Sequence, residues 1–308
     1  MTAGFPIDRP LLSAEGIDRF EPLRDPSRLP GAWTDGRVVT IDDAGRIATR
    51  DADGTVGPAW VATVGDAPAA GAVLLGSMDG IDHWAVAGPV YRGTGFRGLA
   101  TLVPATDVAL LTTAVAVLGW HQRSGFCACC GLSSIPEPSG WSRTCPNGHQ
   151  EWPRTDPAVI VLVHDGADRM LLARQPSWPA GRHSVLAGFT EAGESLEGTV
   201  HREIREEVGL SVDRIGYLGS QPWPFPRSLM IGFAARADPD APLVAADGEI
   251  ESAGWYHRDD LARLLAVGGR AADLPVDQRG PLPADFAVPD EVSIARRMIE
   301  GWVALGSR

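Results

Sequence analysis

Three glutamates, Glu203, Glu206 and Glu207, lie within the stretch Gly188–Leu210, which reads GFTEAGESLEGTVHREIREEVGL. Apolar residues recur at every fourth position of this stretch and predict a helix with one apolar stripe. At about 100° per residue, Glu207 projects within that stripe and Glu203 lies at its edge. A carboxylate on the packed side of a helix is costly to desolvate unless it is paired, protonated or bound to a cation. Glu203 and Glu207 are one turn apart, so their oxygens can converge on a hard cation such as Mg²⁺ or Mn²⁺.

The same charges also fit a solvated helix whose Arg202 and Arg205 pair with neighbouring glutamates. The spacing of the whole string favours the first interpretation. Gly188, Glu194 and the run Arg202–Leu210 match every fixed position of the Nudix box, so the chain resembles a Nudix hydrolase. The resemblance implies a compact α/β/α sandwich that hydrolyses a nucleoside diphosphate linked to another group. It also implies a salt bridge between Glu194 and Arg202 that holds the loop on the helix.

The Nudix resemblance implies roles for the acidic residues. Glu203 and Glu207 are the expected principal ligands of Mg²⁺ or Mn²⁺, with Glu206 assisting, and these three are the expected catalytic residues. Glu207 is the expected acceptor of the proton from the attacking water. The backbone carbonyl of Ala187 and the side chain of Glu249 are implied as further metal ligands. An ordinary exposed loop acid is the alternative interpretation of Glu249.

A second string, Ser220–Ser228, reads SQPWPFPRS. Its three prolines stiffen the segment and hold Trp223 and Phe225 in place, which also fits an edge strand with buried aromatic rings. After a Nudix box, this string resembles the signature of the NADH pyrophosphatase subfamily. That resemblance implies homodimers that cut NADH, and less well NAD⁺, into AMP and nicotinamide mononucleotide. It also implies removal of NAD caps from RNA 5′ ends by bacterial members.

The subfamily resemblance assigns substrate contacts to the proline-rich segment, which is also implied to lie near the dimer interface, and to the last helix. Flat nicotinamide and adenine rings favour stacking on aromatic side chains, although an aromatic residue is more often part of the core than a ligand contact. Family members usually have tyrosine at the position of Trp152. The expected substrate-binding residues are Trp152, Phe189, Gln221, Pro222, Trp223, Pro224, Phe225, Pro226, Arg227, Ser228 and Ala295.

The four cysteines of the chain are clustered in one segment and are Cys127, Cys129, Cys130 and Cys145. Cys127 and Cys130 have the spacing of half a zinc ribbon, and the subfamily has a second Cys-x-x-Cys after it. Here Gly148 stands where the fourth cysteine is expected, and His149 follows it. We expect Cys127, Cys130, Cys145 and His149 to hold a structural zinc ion, with Cys129 as an alternative ligand. A ribbon that has lost its metal is the competing interpretation.

The overall composition limits the classes of protein that the chain can belong to. It has 308 residues, enough for two domains, and a formal charge of −12 from 27 basic and 39 acidic residues. This acidic balance argues against a broad, non-specific nucleic-acid binder. The most apolar run, Val108–Trp120, is shorter than the roughly 20 residues that cross a bilayer, and the first residues lack a signal-peptide pattern. We therefore expect a cytoplasmic protein with no membrane segment, in agreement with the clustered cysteines.

We expect an α+β fold in three parts, because strand and helix patterns mix without a regular βαβ repeat. The parts are a mixed N-terminal domain over residues 1–124, a zinc ribbon over 125–152 and a Nudix sandwich over 153–308. The predicted strands are Arg37–Ile41, Ala70–Leu75, His83–Ala87, Ala158–His164, Met170–Ala173, 214–221, 228–236 and Gly254–His257. The predicted helices are Val108–Trp120, 195–208 and Glu291–Leu305, and Gly268–Pro289 is predicted as a loop.

Two other functions fit the same sequence. In the first, the same residues perform the same chemistry, but NAD-capped RNA is the main substrate. The acidic chain then favours recognition of the cap with little readout of RNA sequence. The second is a non-catalytic Nudix-fold regulator that binds a nucleotide. Such proteins usually lose metal-binding glutamates, whereas this sequence retains them.

Overall fold

The computed structural model describes residues 4–306, which group into two compact units. The N-terminal unit comprises Leu11–Thr155 and Pro222–Ser228, so it includes most of the proline-rich segment. The C-terminal unit comprises the residues up to Pro10, Asp156–Gln221 and the residues from Leu229 on. The division of the chain at residues 124 and 152 stays a prediction.

The main sheet of the N-terminal unit is a mixed sheet of seven short strands. Its strands are β1 (Arg37–Ile41), β2 (Arg46–Ala52), β3 (Thr55–Pro58), β4 (Val61–Ala62), β5 (Val73–Met78), β6 (Ile81–Ala87) and β7 (Gly93–Gly95). The hydrogen-bonded order is β3-β2-β1-β6-β5, with β4 paired to β1 and β7 paired to β2. β1 and β6 run parallel, with Arg37 opposite His83, and the other pairs are antiparallel.

Three helices accompany this sheet. They are α1 (Leu29–Thr34), α2 (Phe96–Leu99) and α3 (Ala105–Arg123), and two 3-10 turns, Leu11–Ser13 and Glu21–Arg24, precede them. Trp33 of α1 packs edge to face on Trp84 of β6, with ring centroids 5.3 Å apart. α3 is longer at both ends than the helix predicted at Val108–Trp120, and most of its apolar residues are buried, as that prediction requires.

The cysteine-containing segment forms a small separate sheet within the N-terminal unit. Its strands are β8 (Ile135–Pro136), β9 (Arg143–Thr144) and β10 (Gln150–Glu151), in the order β10-β9-β8. Arg143 is buried, donates 2.9 Å to the Ser134 hydroxyl and lies 3.1 Å from the His121 ring nitrogen. These contacts provide partners for the buried guanidinium group of Arg143, which would destabilise so small a sheet if it were unpaired.

The C-terminal unit is built on a six-stranded sheet. Its strands are β11 (Asp156–His164), β12 (Arg169–Arg174), β13 (Leu186–Phe189), β14 (Val212–Trp223), β15 (Ser228–Ala237) and β16 (Ser252–His257). The order is β14-β15-β11-β12-β16, and β13 pairs antiparallel with β11. Side chains of β11 alternate between two apolar cores, with Val159 and Val161 on one face and Ile160 and Leu162 on the other.

Helices cover both faces of this sheet. They are α4 (Leu196–Val208), α5 (Arg258–Ala266) and α6 (Ile294–Leu305), with 3-10 turns at Ala271–Asp273 and Val276–Gln278. α4 packs in the core of Val159, whereas α5 and α6 pack in the core of Ile160. This arrangement confirms the predicted α+β class and the α/β/α sandwich. α5 was not predicted, and α6 begins three residues later than expected. Within residues 4–306, no helix combines the length and apolar character that a bilayer crossing requires.

Candidate active site and metal centre

Helix α4 begins and ends where its sequence signals predict. The Ser195 hydroxyl accepts a hydrogen bond from the Gly198 amide at 3.1 Å, which caps the first turn. Gly209 follows the helix with a φ of 74°, a left-handed conformation that favours glycine. Val200 and Ile204 are fully buried, so α4 has one fixed rotation about its axis. That rotation decides which glutamates turn inward.

Glu207 turns inward and is only 5% exposed. Its Oε2 atom is buried and has no hydrogen-bond partner. Burial, together with the negative charges of Glu203, Glu249 and Glu206, raises the pKa of Glu207 to about 8. In the absence of a cation, this carboxyl group is therefore protonated at neutral pH. A buried carboxyl oxygen without a partner is the kind of atom that a cation would satisfy.

Arg202 of α4 binds three glutamates, and through one of them, Glu194, it holds the preceding loop on the helix. Its Nε and Nη2 atoms donate to the two oxygens of Glu194 at 2.7 and 2.9 Å, so the salt bridge implied by the Nudix resemblance is present. Its Nη1 atom donates to Glu203 at 2.8 Å and to Glu206 at 2.9 Å. Nη2 also donates to the Phe189 carbonyl at 2.8 Å. The alternative interpretation, in which arginines pair with the helix glutamates, is thus realised at Arg202 as well.

Hydrogen bonds from Arg202 and burial shift the pKa values of Glu194 and Glu203 in opposite directions. The hydrogen bonds from Arg202 lead the causes that lower the pKa of Glu194 to about 2, so Glu194 is ionised throughout the physiological range. Burial raises the pKa of Glu203 and outweighs the opposing effect of Arg202. The side chain of Glu206 is 57% exposed, so this residue faces solvent. Glu194 acts as a fixed anion, whereas the other acids remain available to a cation.

Gly188 makes room for the Glu203 carboxylate. A Cβ atom at this position would overlap with the Glu203 carboxyl group. Gly188 lies in β13, opposite Val159 of β11, so the sheet fixes its position. Only glycine lets the carboxylate lie against the strand without a shift of either element. The fixed glycine of the box is thereby explained, although the sequence alone did not reveal its contact.

Glu249 reaches the same site on a loop that is anchored at both ends. The Ala246 amide donates to the Glu207 carbonyl at 2.9 Å, which ties the loop to the end of α4. Ile250 is 6% exposed and packs in the core beside α4. Glu249 itself is exposed and contributes to the electrostatic shift at Glu207. A loop acid about forty positions after the helix is therefore held next to the helix acids.

The acids line a cavity of about 570 Å³ in the C-terminal unit. Glu203, Glu207 and Glu249 share it with Ala187 and with Phe189, which is 57% exposed. The remaining lining residues are Gln175, Pro176, Ser177, Gly188, Glu191, Arg202 and Gly248. The segment 175–177 was missed in the sequence, where its only signal is a proline between two strands. Such a cavity has the size of known small-molecule sites.

Two predicted substrate-binding residues of the C-terminal unit lie away from this cavity lining. Gln221 is fully buried, donates to the Val292 carbonyl at 2.7 Å and accepts from the Ile294 amide at 2.6 Å. Its amide thus fixes the start of α6. Ala295 is 1% exposed and packs among the core residues of α5 and α6. In this structure both side chains support α6.

The remaining predicted substrate-binding residues belong to the N-terminal unit. Trp223 and Phe225 meet edge to face with centroids 5.1 Å apart, and Phe225 lies 6.1 Å from Phe96 of α2. The Arg97 guanidinium lies 5.3 Å from the Trp223 ring centroid. Trp152 is 59% exposed, as stacking on a substrate would require. The other members of this set are Pro222, Pro224, Pro226, Arg227 and Ser228, of which Pro224 and Ser228 are buried.

The candidate zinc ligands of the ribbon converge. The donor atoms of Cys127, Cys130, Cys145 and His149 all lie within 4.8 Å of one another. His149 Nδ1 is 3.5 Å from the Cys127 sulfur and 3.6 Å from the Cys145 sulfur, and the Cys130 and Cys145 sulfurs are 3.7 Å apart. A tetrahedral zinc ion with bonds of about 2.3 Å separates its sulfur ligands by roughly 3.8 Å. The four residues therefore fit a zinc ion.

Two tight turns present these donors. The Gly131 amide donates to the Cys127 carbonyl and the Gly148 amide to the Cys145 carbonyl, each at 2.9 Å. Gly148 has a φ of 77°, a conformation that explains why glycine precedes the fourth donor. Cys129 is exposed and is not part of the cluster. Of the two ligands considered from the sequence, the structure places His149 in the set.

Comparison with known proteins gives consistent matches. Residues 154–275 match the NUDIX domain model. The NAD-capped RNA hydrolase NudC of Mycobacterium bovis is 43% identical over 307 residues, covering 96% of this chain and 95% of that protein. The human mitochondrial NAD(P)H pyrophosphatase NUDT13 is 41% identical over 202 residues, covering 65% of this chain and 56% of that protein. A solved NUDIX hydrolase from Nitrosomonas europaea aligns with a TM-score of 0.37 and 23% identity, over 43% of this chain and 77% of that chain.

Proposed function

Because the chain belongs to the NudC-like branch of the Nudix hydrolases, we propose that it hydrolyses the diphosphate of NADH and NAD⁺ to AMP and nicotinamide mononucleotide. The observation that carries this proposal is the buried carboxyl group of Glu207, whose Oε2 atom has no hydrogen-bond partner beside a 570 Å³ cavity. Two further glutamates, Glu203 and Glu249, line the same cavity. Ionisation of all three carboxylates side by side is unfavourable unless a cation binds them.

We assign the Mg²⁺ or Mn²⁺ site to Glu203, Glu207 and Glu249, with the Ala187 carbonyl as a further ligand and Glu206 assisting from the solvent side. When bound, the cations neutralise the diphosphate and lower the pKa of the attacking water. Beside such a cation the Glu207 carboxyl group would be ionised. Glu207 then accepts the proton of the attacking water as general base.

Arg202 keeps this arrangement rigid. It fixes the loop through Glu194 while it contacts Glu203 and Glu206, so those two carboxylates are oriented before a substrate arrives. Preorganised acids lose little entropy on binding a cation. We assign Arg202 to orientation, and Glu207 to proton transfer.

Aromatic side chains supply the contacts to the rings of the dinucleotide. Phe189 offers an exposed face at the cavity, and a flat nicotinamide or adenine ring can stack on it. We assign further ring contacts to Trp152 and Trp223 and substrate contacts to the segment 222–228. Gln221 and Ala295, whose side chains are buried at the start of α6, are assigned to positioning that helix. The zinc site of Cys127, Cys130, Cys145 and His149 is structural, since four protein ligands leave no open position.

Incubation of the protein with NADH and Mn²⁺, with products read by mass spectrometry, tests the reaction. We expect AMP and reduced nicotinamide mononucleotide, and ¹⁸O from labelled water in one of the two phosphates identifies the phosphorus that is attacked. Failure to release AMP with Mn²⁺ present would overturn the enzymatic proposal. It would instead favour a nucleotide-binding regulator with the same fold.

NAD-capped RNA is a second candidate substrate. The NAD-capped RNA hydrolase NudC from Mycobacterium bovis matches almost the full length of this chain, which favours this candidate. The same acids would cut the same diphosphate, so only the relative kcat/KM values for NADH and for NAD-capped RNA distinguish the two roles. A larger kcat/KM for the capped RNA would make decapping the principal activity.

We also propose that the protein is a homodimer of the cytoplasm, as the subfamily resemblance and the clustered cysteines imply. Size-exclusion chromatography with light scattering tests the assembly, with about twice the 32.6 kDa chain mass as the expected result. A mass of one chain at micromolar concentration would contradict the homodimer.

A further inference from the structure

We propose that Arg174 is a positioning residue that holds two walls of the carboxylate cavity together, an inference that rests on the proposed function. One wall is the segment Gln175–Ser177 and the other is the segment that carries Glu249. Arg174 is the last residue of β12 and does not itself line the cavity. Its contacts connect the loop after β12 to the segment that carries Glu249.

The guanidinium group of Arg174 has partners on both sides. Its Nη1 atom donates to the carbonyl of Trp178 and to the carbonyl of Pro179, each at 2.9 Å, and more weakly to that of Gln175 at 3.3 Å. Its Nε atom lies 2.6 Å from a Glu251 carboxylate oxygen. Three carbonyl groups of one loop and one acid of the opposite segment therefore share a single side chain.

The backbone strengthens the connection on the Glu249 side. The Glu251 amide donates to the Arg174 carbonyl at 2.8 Å, and Arg174 stands opposite Ser252 in the β12–β16 ladder. Ile250 is buried between Glu251 and Glu249. A shift of Glu251 is thus transmitted over two residues to the acid that lines the cavity.

Arginine is the residue type that these contacts require. Its planar guanidinium holds Nε and Nη1 in fixed relative positions, so that Nε faces Glu251 while the two N–H groups of Nη1 face the loop carbonyls. The side chain of Arg174 is only 14% exposed, so water would poorly replace its hydrogen bonds to the loop carbonyls. A lysine would keep a positive charge for Glu251, but its compact ammonium group cannot reach the three loop carbonyls at the same time.

The two sides of Arg174 predict two separable effects. Loss of the Glu251 contact moves Glu249 and weakens cation binding. Loss of the carbonyl contacts releases the segment 175–177 and weakens substrate binding after the cation has bound. These effects are measured by the Mn²⁺ dissociation constant, from the EPR signal of free Mn²⁺, and by KM for NADH at saturating Mn²⁺.

The test compares Arg174→Met, Arg174→Lys and Glu251→Gln with the wild-type protein. We expect Arg174→Met to raise both the Mn²⁺ dissociation constant and KM by about tenfold, the scale of a lost charged hydrogen-bond network. Glu251→Gln should raise only the Mn²⁺ dissociation constant. Arg174→Lys should restore Mn²⁺ affinity to within about twofold and leave KM raised, since lysine restores only the ion pair.

Arg236→Met is the matched control. Arg236 pairs with Asp213 at 2.6 and 2.8 Å on the same unit but has no place in the lining of the carboxylate cavity, so both constants should stay at wild-type values. The proposal is overturned if Arg174→Met matches the wild type in both constants, or if Arg174→Lys restores both together. Should Arg174→Met fail to fold, the contrast between Arg174→Lys and Glu251→Gln decides. A wild-type protein that does not cleave NADH would refute the proposed function, while the Mn²⁺ constants would still judge Arg174.

Discussion

The two clusters of candidate metal ligands in this chain are built in opposite ways. In the ribbon, three sulfurs and one ring nitrogen lie within 4.8 Å of one another and already have the spacing of a closed tetrahedral site. In the C-terminal unit, the acids surround a cavity of about 570 Å³, and one buried carboxyl oxygen has no partner. A closed set of ligands stabilises structure, whereas an open set leaves positions for a substrate.

The chemical type of the ligands follows the same division. Thiolates and imidazole favour zinc, while carboxylates favour Mg²⁺ or Mn²⁺. Burial, followed by repulsion from the neighbouring acids, raises the pKa of Glu207 to about 8. The open site is therefore destabilising until it is filled. Four predictions test this contrast.

The largest effect is expected from Glu207→Gln. We expect kcat for NADH to fall by about a thousandfold, because the amide can neither accept the proton nor carry charge for the cation. The zinc content should stay at one ion per chain, since the ribbon ligands include no residue of the acidic site. Glu197→Gln, which alters an exposed acid of the same helix, is the control and should keep near-wild-type turnover. Full activity of Glu207→Gln would refute its role.

The second prediction concerns the closed site. Cys145→Ser should abolish zinc binding, measured by mass spectrometry under native conditions, and should make Leu11–Thr155 more susceptible to proteolysis, because metal binding energy is also folding energy. Cys129→Ser should leave zinc content unchanged, since Cys129 is exposed and outside the cluster. Zinc loss in Cys129→Ser but not in His149→Ala would reverse the assigned ligand set.

The third prediction concerns the open site in buffer without divalent cations. There, the stability of the fold should depend on pH through Glu207. The folded protein holds a proton on Glu207 up to a pKa of about 8, whereas the unfolded chain releases it near the ordinary value of 4.5. Stability is therefore lost as pH rises from about 4.5 to 8, by up to a few kcal/mol. Measured in Mg²⁺-free buffer, Tm should fall between pH 5.5 and pH 8.5 more in the wild type than in Glu207→Gln. Equal slopes would show that Glu207 has an ordinary pKa in the fold.

The smallest effect is expected from Gly188→Ala. The added methyl group overlaps with the Glu203 carboxyl group, so the carboxylate must move away from β13. We expect the Mn²⁺ dissociation constant to rise by about tenfold, because one ligand of the set is displaced. Gly198→Ala serves as the control, since a Cβ there meets only the Ser195 hydroxyl, 3.3 Å away, on the outer side of the helix. An unchanged constant in Gly188→Ala would show that Glu203 does not bind the cation.

Several features were determined by the sequence alone. The apolar spacing of α4, its serine cap and its terminal glycine are local signals, and they predicted both the helix and the inward turn of Glu207. The Nudix box and the proline-rich string identified the family, in agreement with the match to NudC. Short elements were harder to predict from the sequence. The helix α5 has only nine residues and was missed, because so short a helix gives little periodic signal.

Only the tertiary structure decided which distant residues share a site. Glu249 joins the helix acids because its loop is tied to the end of α4, and Gln175–Ser177 join them because Arg174 holds their loop. Gln221 carries a family motif, yet its amide is taken up by the backbone at the start of α6. Local patterns report the faces of a helix or strand, since these depend on neighbours in sequence. Convergence of loops depends on long-range packing, which no short segment encodes by itself.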